Sequence, residues 1–280
     1  MKQVNYSTVG FTDRDIEAAL DAVAAAGFKG TEIVGQAPHL DQPPEGQALI
    51  EFRERLDSRE LLCRTVHAPL TRNVLGAPEE EWRREVVEVL ARYIRFAGAI
   101  EADGIVIHPI PNPIFVPAAE DASLPDRMRS AVRHSLDDLV PVAREAGVCM
   151  LLENLPYHCH YPLLTLEELR PLVDEYPEQQ VGLVIDTGHA WTIGRDPAVE
   201  IRAAGARLRG THLQDVDGEH PNDDHWPPTH GGLHWADIRQ ALEDVSYEGF
   251  WTFEVANGRQ GETPEELARV TRQVAGSWGL

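Results

Sequence analysis

The chain repeats one pattern along its 280 residues: a short, β-rich apolar run ends in a charged or imidazole side chain and is followed by a helix-like segment. Apolar runs of this length are typical of strands that are buried on both faces, as in parallel sheets. A polar residue at the end of such a run lies where the strand leaves the core. The motifs are TVHAP, IVIHP, MLLENLP, LVIDTGH, GTHLQD and FWTFEV. Their recurrence predicts one site built from many strand ends.

Segments with helical periodicity separate these runs, so that strand and helix alternate about eight times. This alternation predicts a closed parallel barrel, an α/β fold of the (β/α)8 TIM barrel class. The competing doubly wound sheet usually has a glycine-rich turn after its first strand, and NYSTVGFTD contains no G-x-G-x-x-G. One core suffices for this length, and we expect residues 1–280 to form a single domain. The helices are predicted at 13–26, 47–59, 78–99, 166–175, 197–204, 235–245 and 264–275, with one more from the end of a Pro109–Pro125 loop to Ala146.

Charge and composition exclude several classes of protein. The chain has 25 basic and 46 acidic residues, a net charge of −21, and no basic cluster longer than a pair, which disfavours a nucleic-acid partner. No run reaches the roughly 20 apolar residues of a membrane span, and the Met1 end has no long apolar stretch. The odd number of cysteines fits a reducing compartment. We therefore expect a soluble, unprocessed, cytoplasmic protein, and whether it forms a homo-oligomer is left open.

Four of the polar strand-end residues come from the last four predicted strands: Glu153, Asp186, His212 and Glu254. Adjacent strands are about 4.8 Å apart, so that inward-leaning side chains from neighbouring strands can converge on one ion. Carboxylates gathered at a barrel mouth repel one another unless a cation compensates them. Three carboxylates and one imidazole suit Mn²⁺ or Zn²⁺, with Mg²⁺ or Co²⁺ as further candidates. The pattern predicts a divalent metal centre without thiolate ligands.

In this order, the motifs resemble those of the xylose isomerase-like TIM barrels, a superfamily that also contains endonuclease IV-type apurinic endonucleases, ketose 3-epimerases and inosose-processing enzymes. The resemblance implies that Glu153, Asp186, His212 and Glu254 bind the catalytic divalent metal. The matching segments are HAP (67–69), HP (108–109), ENLP (153–156), DTGHA (186–190), THLQD (211–215), DDHWPP (223–228) and FEV (253–255).

The endonuclease branch implies further metal ligands. His67 and His108 match positions that bind metal beside the residue equivalent to Glu153. His189, Asp223 and His225 match a third metal site, and the extended alternation of Asp223-x-His225 would place both side chains on one side of the loop. Support of the first metal is the alternative role for His67 and His108. A multi-zinc phosphodiesterase acting on abasic DNA is thus an alternative function, although the loop DDHWPPTHGG has no basic insertion to grip DNA.

The ketose 3-epimerase branch differs from this chain at two positions. That branch carries a second Glu shortly after the strand-five ligand and an Arg just after the strand-seven His. Here Cys159 and Gly218 lie near these places. We therefore expect a different polyol, keto-sugar or sugar-phosphate substrate.

The chemistry that these residues favour is proton transfer next to a metal-polarised carbonyl in a carbohydrate. Glu153 and Glu254 could flank the substrate as proton donor and acceptor, and His189 could orient a hydroxyl. The expected enzyme is a metal-dependent isomerase or epimerase, and dehydration of a keto-polyol is an alternative outcome. The candidate substrate-binding residues are three aromatics that could stack on a sugar and one arginine that could meet an anion: Tyr157, Trp191, Trp226 and Arg259.

Overall fold

A computed structural model of the protein describes residues 3–116 and 121–280. Eight parallel strands close into a barrel in sequence order, each paired with the next and the last with the first. The predicted (β/α)8 barrel is thereby confirmed. The strands are β1 (Val4–Ser7), β2 (Gly30–Val34), β3 (Leu62–His67), β4 (Gly104–Ile107), β5 (Cys149–Glu153), β6 (Val181–Asp186), β7 (Leu208–Leu213) and β8 (Trp251–Phe253).

The α-helices of the described residues surround the strands. Eight of them lie where helical periodicity predicts a helix, and one short helix, α6, was not predicted. Its six residues follow β6 directly and are too few to show an amphipathic pattern. The helices are α1 (Ile16–Ala25), α2 (Gly46–Ser58), α3 (Glu80–Ala99), α4 (Leu124–Ala146), α5 (Leu166–Val173), α6 (Thr187–Thr192), α7 (Pro197–Ala204), α8 (Trp235–Asp244) and α9 (Pro264–Ser277).

Polar caps account for several helix boundaries. The helix predicted from residue 13 begins at Ile16, because the Asp15 side chain accepts a hydrogen bond from the main-chain N–H of Ala18 at 2.9 Å. The helix α9 begins with a capping box in which Thr263 and Glu266 satisfy each other's main-chain N–H groups. The predicted Pro109–Pro125 loop contains a 3-10 turn at Pro113–Phe115, and its residues 117–120 lie outside the described residues.

Buried aliphatic and aromatic side chains fill the space between the strands and the helices. Every residue of β2, β4, β5 and β6 is buried, as expected for strands covered on both faces. In the described part of the chain, no helix is both long enough and apolar enough to cross a bilayer.

The helices α3 and α4 approach each other closely at Gly98. A Cβ atom added at Gly98 would lie 2.5 Å from the carbonyl oxygen of Ala146, a main-chain atom that cannot move aside cheaply. Gly276 in α9 provides a contrast, because the nearest atom to an added Cβ there is Nη1 of Arg272 at 3.8 Å. The two glycines therefore have different roles although both lie near the end of a helix.

We expect Gly98→Ala to lower the free energy of unfolding by about 1–3 kcal/mol, because the extra methyl group overpacks the contact between α3 and α4. Gly276→Ala should instead raise it by about 0.5–1 kcal/mol through helix propensity alone. Urea denaturation followed by circular dichroism measures both changes. Equal effects of the two substitutions would contradict the packing argument.

Candidate metal centre

The carboxyl ends of the last four strands bring the four predicted ligands together. Glu153 and Asp186 are the final residues of β5 and β6, His212 lies one residue from the end of β7, and Glu254 directly follows β8. All four are buried. One donor atom from each lies within 4.8 Å of the corresponding atoms of the others, an arrangement that could hold a metal ion. The register pairs Asp186 with His212 and so fixes their relative height in the barrel.

Two carboxylates of this group lie close to the ring nitrogen Nδ1 of His212. This nitrogen is 2.8 Å from Oε1 of Glu153 and 3.2 Å from Oε2 of Glu254. Asp186 is held separately, because its Oδ1 caps α6 by accepting a hydrogen bond from the main-chain N–H of His189 at 2.7 Å. The strand ends therefore fix all four side chains before any ligand binds.

Two further groups of donors adjoin the first. His67 and His108 place their Nε2 atoms 3.4 and 3.3 Å from Oε2 of Glu153. His189 and His225 place theirs 3.3 and 3.1 Å from Oδ1 of Asp223. Each of these three-residue groups could also hold an ion. The structure thus brings together the nine residues predicted as ligands, and we call them the nine-residue cluster: His67, His108, Glu153, Asp186, His189, His212, Asp223, His225 and Glu254.

Main-chain carbonyl groups orient three of these histidines. Nδ1 of His67, His189 and His225 lies 2.9, 2.9 and 3.1 Å from the carbonyl oxygens of Ala68, Asn154 and Glu254, respectively. A histidine that donates Nδ1–H to a carbonyl keeps the lone pair of its neutral form on Nε2. In all three, Nε2 lies within 3.4 Å of a carboxylate oxygen of the cluster. This arrangement is the one that metal-binding histidines need.

Charge compensation inside the cluster shifts several pKa values. Burial opposes protonation of His225, but the Asp223 carboxylate outweighs it and raises the pKa of His225 to about 10. Burial likewise opposes ionisation of Glu254, yet the charge on His212 lowers the pKa of Glu254 to about 2. For Asp186 burial prevails and raises the pKa to about 7. Without a metal, protons on imidazoles supply the positive charge that the buried carboxylates need.

The residues present fit a divalent cation. Oε2 of Glu153 is buried and has no hydrogen-bond partner among the described residues, although the Nε2 atoms of His67 and His108 face it. A cation would satisfy this atom. Carboxylate oxygens with imidazole nitrogens are suitable donors for Mn²⁺, Zn²⁺, Mg²⁺ or Co²⁺.

A glutamine without a predicted role, Gln214, holds the cluster together. Nε2 of Gln214 lies 3.1 Å from both Oδ1 of Asp186 and Oδ1 of Asp223, and its Oε1 accepts a hydrogen bond from the main-chain N–H of His225 at 2.8 Å. His225 has a positive φ of 52°, a strained conformation for a histidine that such contacts maintain. The motif THLQD contains Gln214, but an uncharged amide gives little sign of this role.

The four predicted substrate-binding residues are placed unequally around the cluster. Tyr157 adjoins the cluster. Burial raises the pKa of its phenol, and the nearby Glu153 and Asp223 carboxylates add to this shift. It also lines a cavity of about 480 Å³. Trp191 donates to the carbonyl oxygen of Gly218 at 3.4 Å.

Arg259, the residue predicted to contact an anion, packs on the ring of Trp226. Its guanidinium lies 4.7 Å from the ring centre of Trp226 and donates to the carbonyl oxygen of His230 at 3.0 Å. An antiparallel bridge ties Trp226 to Asp215 directly after β7. Substrate contacts of these residues stay predictions.

The raised pKa of His225 makes the stability of metal-free protein depend on pH. Its folded pKa of about 10 exceeds the value of about 6.5 of an unfolded histidine. The resulting stabilisation is complete below about pH 6.5 and is lost as the pH rises toward 10. We expect the free energy of unfolding of chelator-treated protein, from urea denaturation, to fall over this range.

The control separates His225 from histidines in general. His225→Gln should show a smaller fall, whereas His134→Gln, on the exposed face of α4, should behave like the unsubstituted protein. A free energy of unfolding that rises over this pH range would contradict the charge assignment.

Comparisons with known proteins agree with the fold. Residues 20–274 match the family model of the xylose isomerase-like TIM barrel. The chain is 30% identical over 240 residues to D-psicose 3-epimerase from Enterocloster bolteae, covering 84% of this chain and 75% of that protein. It is 25% identical over 283 residues to inosose dehydratase from Clostridium perfringens, covering 93% of this chain and 89% of that protein.

A solved structure with the same fold is that of a D-tagatose 3-epimerase-like protein, with a TM-score of 0.78, 20% sequence identity and complete coverage of both chains. A 3-keto-D-glucoside 4-epimerase from E. coli superposes with a TM-score of 0.75 at 18% identity, covering 99% of this chain and 98% of that one. On the match over residues 20–274 and the identity to D-psicose 3-epimerase, the chain belongs to the xylose isomerase-like TIM barrel family.

Proposed function

We propose that the protein is a divalent-metal-dependent epimerase or isomerase that transfers a proton next to the carbonyl of a keto-sugar, a keto-sugar phosphate or a keto-polyol. The observation that carries the proposal is the buried convergence of the Glu153 and Glu254 carboxylates on one nitrogen of His212, within a group that could hold a metal ion. The identity to D-psicose 3-epimerase supports the same class of reaction.

Glu153, Asp186, His212 and Glu254 would hold the catalytic ion. When bound, a divalent ion polarises the substrate carbonyl and stabilises the negative charge that develops when the neighbouring C–H bond is broken. Mn²⁺ and Zn²⁺ are the ions that we propose first, with Mg²⁺ and Co²⁺ as alternatives.

Glu153 and Glu254 are the proposed proton-transfer groups. The group that removes the proton must be ionised, and the low pKa of Glu254 and the lowered pKa of Glu153 leave either carboxylate able to do so. The opposite group must take up a proton from solvent before it can return one to the substrate. Removal of the proton on one face of the substrate and return on the other inverts one carbon, which is epimerisation. Return to the adjacent carbon would give isomerisation, and loss of a β-hydroxyl would give dehydration, the reaction named for the relative from C. perfringens.

His189 is proposed to orient a substrate hydroxyl. Its Nδ1 lies at hydrogen-bond distance from the carbonyl oxygen of Asn154, and its Nε2 therefore stays directed toward Asp223. Tyr157 adjoins both the cluster and the 480 Å³ cavity and would form a wall against the sugar.

The surroundings of the cluster bear on the charge of the substrate. Among the described residues, the contacts cited for the nine-residue cluster include no Arg or Lys side chain, whereas Arg129 and Arg195 line the adjoining cavity. Arg259 is exposed and packs against Trp226. Cys159 lines the cavity close to the place where ketose 3-epimerases carry a second Glu. We therefore propose a keto-sugar, sugar phosphate or keto-polyol that differs from the free ketoses of that branch.

The test is hydrogen exchange at carbon. We expect metal-loaded protein in D₂O to introduce deuterium next to the carbonyl of at least one member of a panel of keto-sugars and polyols, as measured by NMR, and we expect a chelator to abolish this exchange. Glu153→Gln and Glu254→Gln should each lower the rate by about 10²–10⁴-fold, because each removes a proton-transfer group.

The matched control is Glu167→Gln, a change to an exposed glutamate in α5 that should leave the rate unchanged. Exchange that survives both Glu153→Gln and Glu254→Gln would contradict the assigned roles. So would metal-loaded protein that catalyses no exchange with any compound of the panel.

A multi-zinc phosphodiesterase is a second candidate, because three adjacent donor groups could together hold more than one ion. The net charge of −21 opposes binding to the phosphate backbone of DNA. We therefore expect Zn²⁺-loaded protein at low salt to leave duplex DNA with an abasic site intact in a gel assay. Incision that is lost in Asp223→Asn would reverse this order of preference.

A further inference from the structure

Glu32 is a buried acidic residue that the proposed reaction does not use. It lies in the middle of β2 and is 0% exposed. It is not one of the nine residues of the cluster, but it contacts His212. Its Oε2 lies 3.1 Å from Nε2 of His212 and accepts a hydrogen bond from the Thr65 hydroxyl at 2.8 Å. Its Oε1 has no hydrogen-bond partner in the described part of the chain. Because burial of a carboxylate is costly, its presence calls for a compensating interaction.

The strand pairing directs this side chain. The register between β2 and β3 shifts between Thr31 and Glu32, which sets Glu32 opposite Thr65. Irregularities of this kind re-aim side chains and occur often beside active sites. Glu32 and Thr65 are thereby brought together on neighbouring strands, and the carboxylate reaches across the barrel interior to His212 on β7.

The two ring nitrogens of His212 have different partners. Nδ1 faces Glu153 and Glu254, the proposed ligands, and Nε2 faces Glu32. A proton on Nε2 that is donated to Glu32 leaves the Nδ1 lone pair free for an ion. The ring of His67 stacks on that of His212, with centres 5.7 Å apart and planes 21° apart, which further fixes the ring plane.

This anchor differs from those of the three histidines that donate Nδ1–H to main-chain carbonyls. With an ion on Nδ1, His212 would donate through the opposite nitrogen, and to a carboxylate. A carboxylate behind a metal-binding histidine fixes its tautomer and makes the ligating nitrogen more basic than a carbonyl anchor would. Thr65, in turn, donates to the same Glu32 oxygen and fixes the carboxylate.

We propose that Glu32 is a positioning residue, which holds His212 with Nδ1 toward the ion and so raises the affinity of the centre for divalent metals. The inference rests on the proposed metal-dependent function. Glu32 acts through His212 and makes no contact with substrate.

The test is a titration of full-length, chelator-stripped protein with Co²⁺, followed by the visible absorption of the bound ion. We expect Glu32→Gln to weaken Co²⁺ binding by about 10–100-fold, and to alter the absorption spectrum of the bound ion because the His212 ring is less fixed. Thr65→Val removes the hydroxyl that orients Glu32 and should shift the affinity in the same direction by a smaller factor.

Glu200→Gln is the matched control. Glu200 is also buried, but it accepts hydrogen bonds from the main-chain N–H groups of Leu166 and Glu167 and pairs with Arg195, away from the cluster. Its substitution should lower the melting temperature and leave Co²⁺ affinity and spectrum unchanged. A loss of stability alone therefore cannot imitate the effect expected of Glu32.

Unchanged affinity and an unchanged spectrum in Glu32→Gln would overturn the positioning role while leaving the metal centre intact. If circular dichroism shows that Glu32→Gln does not fold, Thr65→Val and Glu32→Asp decide by the same readout, and unchanged affinity in both overturns the proposal. Failure of the unsubstituted protein to bind Co²⁺ would instead contradict the proposed function, and with it the role of Glu32.

Discussion

Charge compensation among buried carboxylates and imidazoles governs the carboxyl end of this barrel. Glu153, Asp186 and Glu254 are removed from water by the strands that carry them, and each lies within reach of a histidine. Such a group is costly to bury unless protons or a cation neutralise it. The raised pKa of His225 and the lowered pKa of Glu254 are signs of protons in that role. A divalent ion would take over this role and free the histidines for ligation.

The fold supplies the geometry for this compensation. Parallel strands in a closed barrel end at the same face, so that residues distant in sequence meet there. The main-chain carbonyls of Ala68, Asn154 and Glu254 then set the tautomers of three histidines. The backbone therefore prepares both the positions and the lone pairs of the proposed ligands, which limits the reorganisation that binding requires.

Much of this arrangement could be predicted from the sequence, because strand ends are visible as polar residues after apolar runs. Glu153, Asp186 and Glu254 follow this rule, and the barrel topology makes their convergence a consequence. Glu32 escaped prediction because it lies mid-strand in TEIVG, where no strand-end rule applies and a register shift aims it inward. Gln214 escaped because an amide carries no charge. The helix α6 was missed because six residues show no periodicity.

The central claim is that the ends of β5 to β8 jointly bind one divalent ion, and anomalous diffraction tests it most directly. Crystals grown with Mn²⁺ should be measured at a wavelength where manganese scatters anomalously. The account predicts a strong anomalous difference peak within bonding distance of Glu153, Asp186, Nδ1 of His212 and Glu254. A map without a peak at this position, from protein crystallised with excess Mn²⁺, would contradict it.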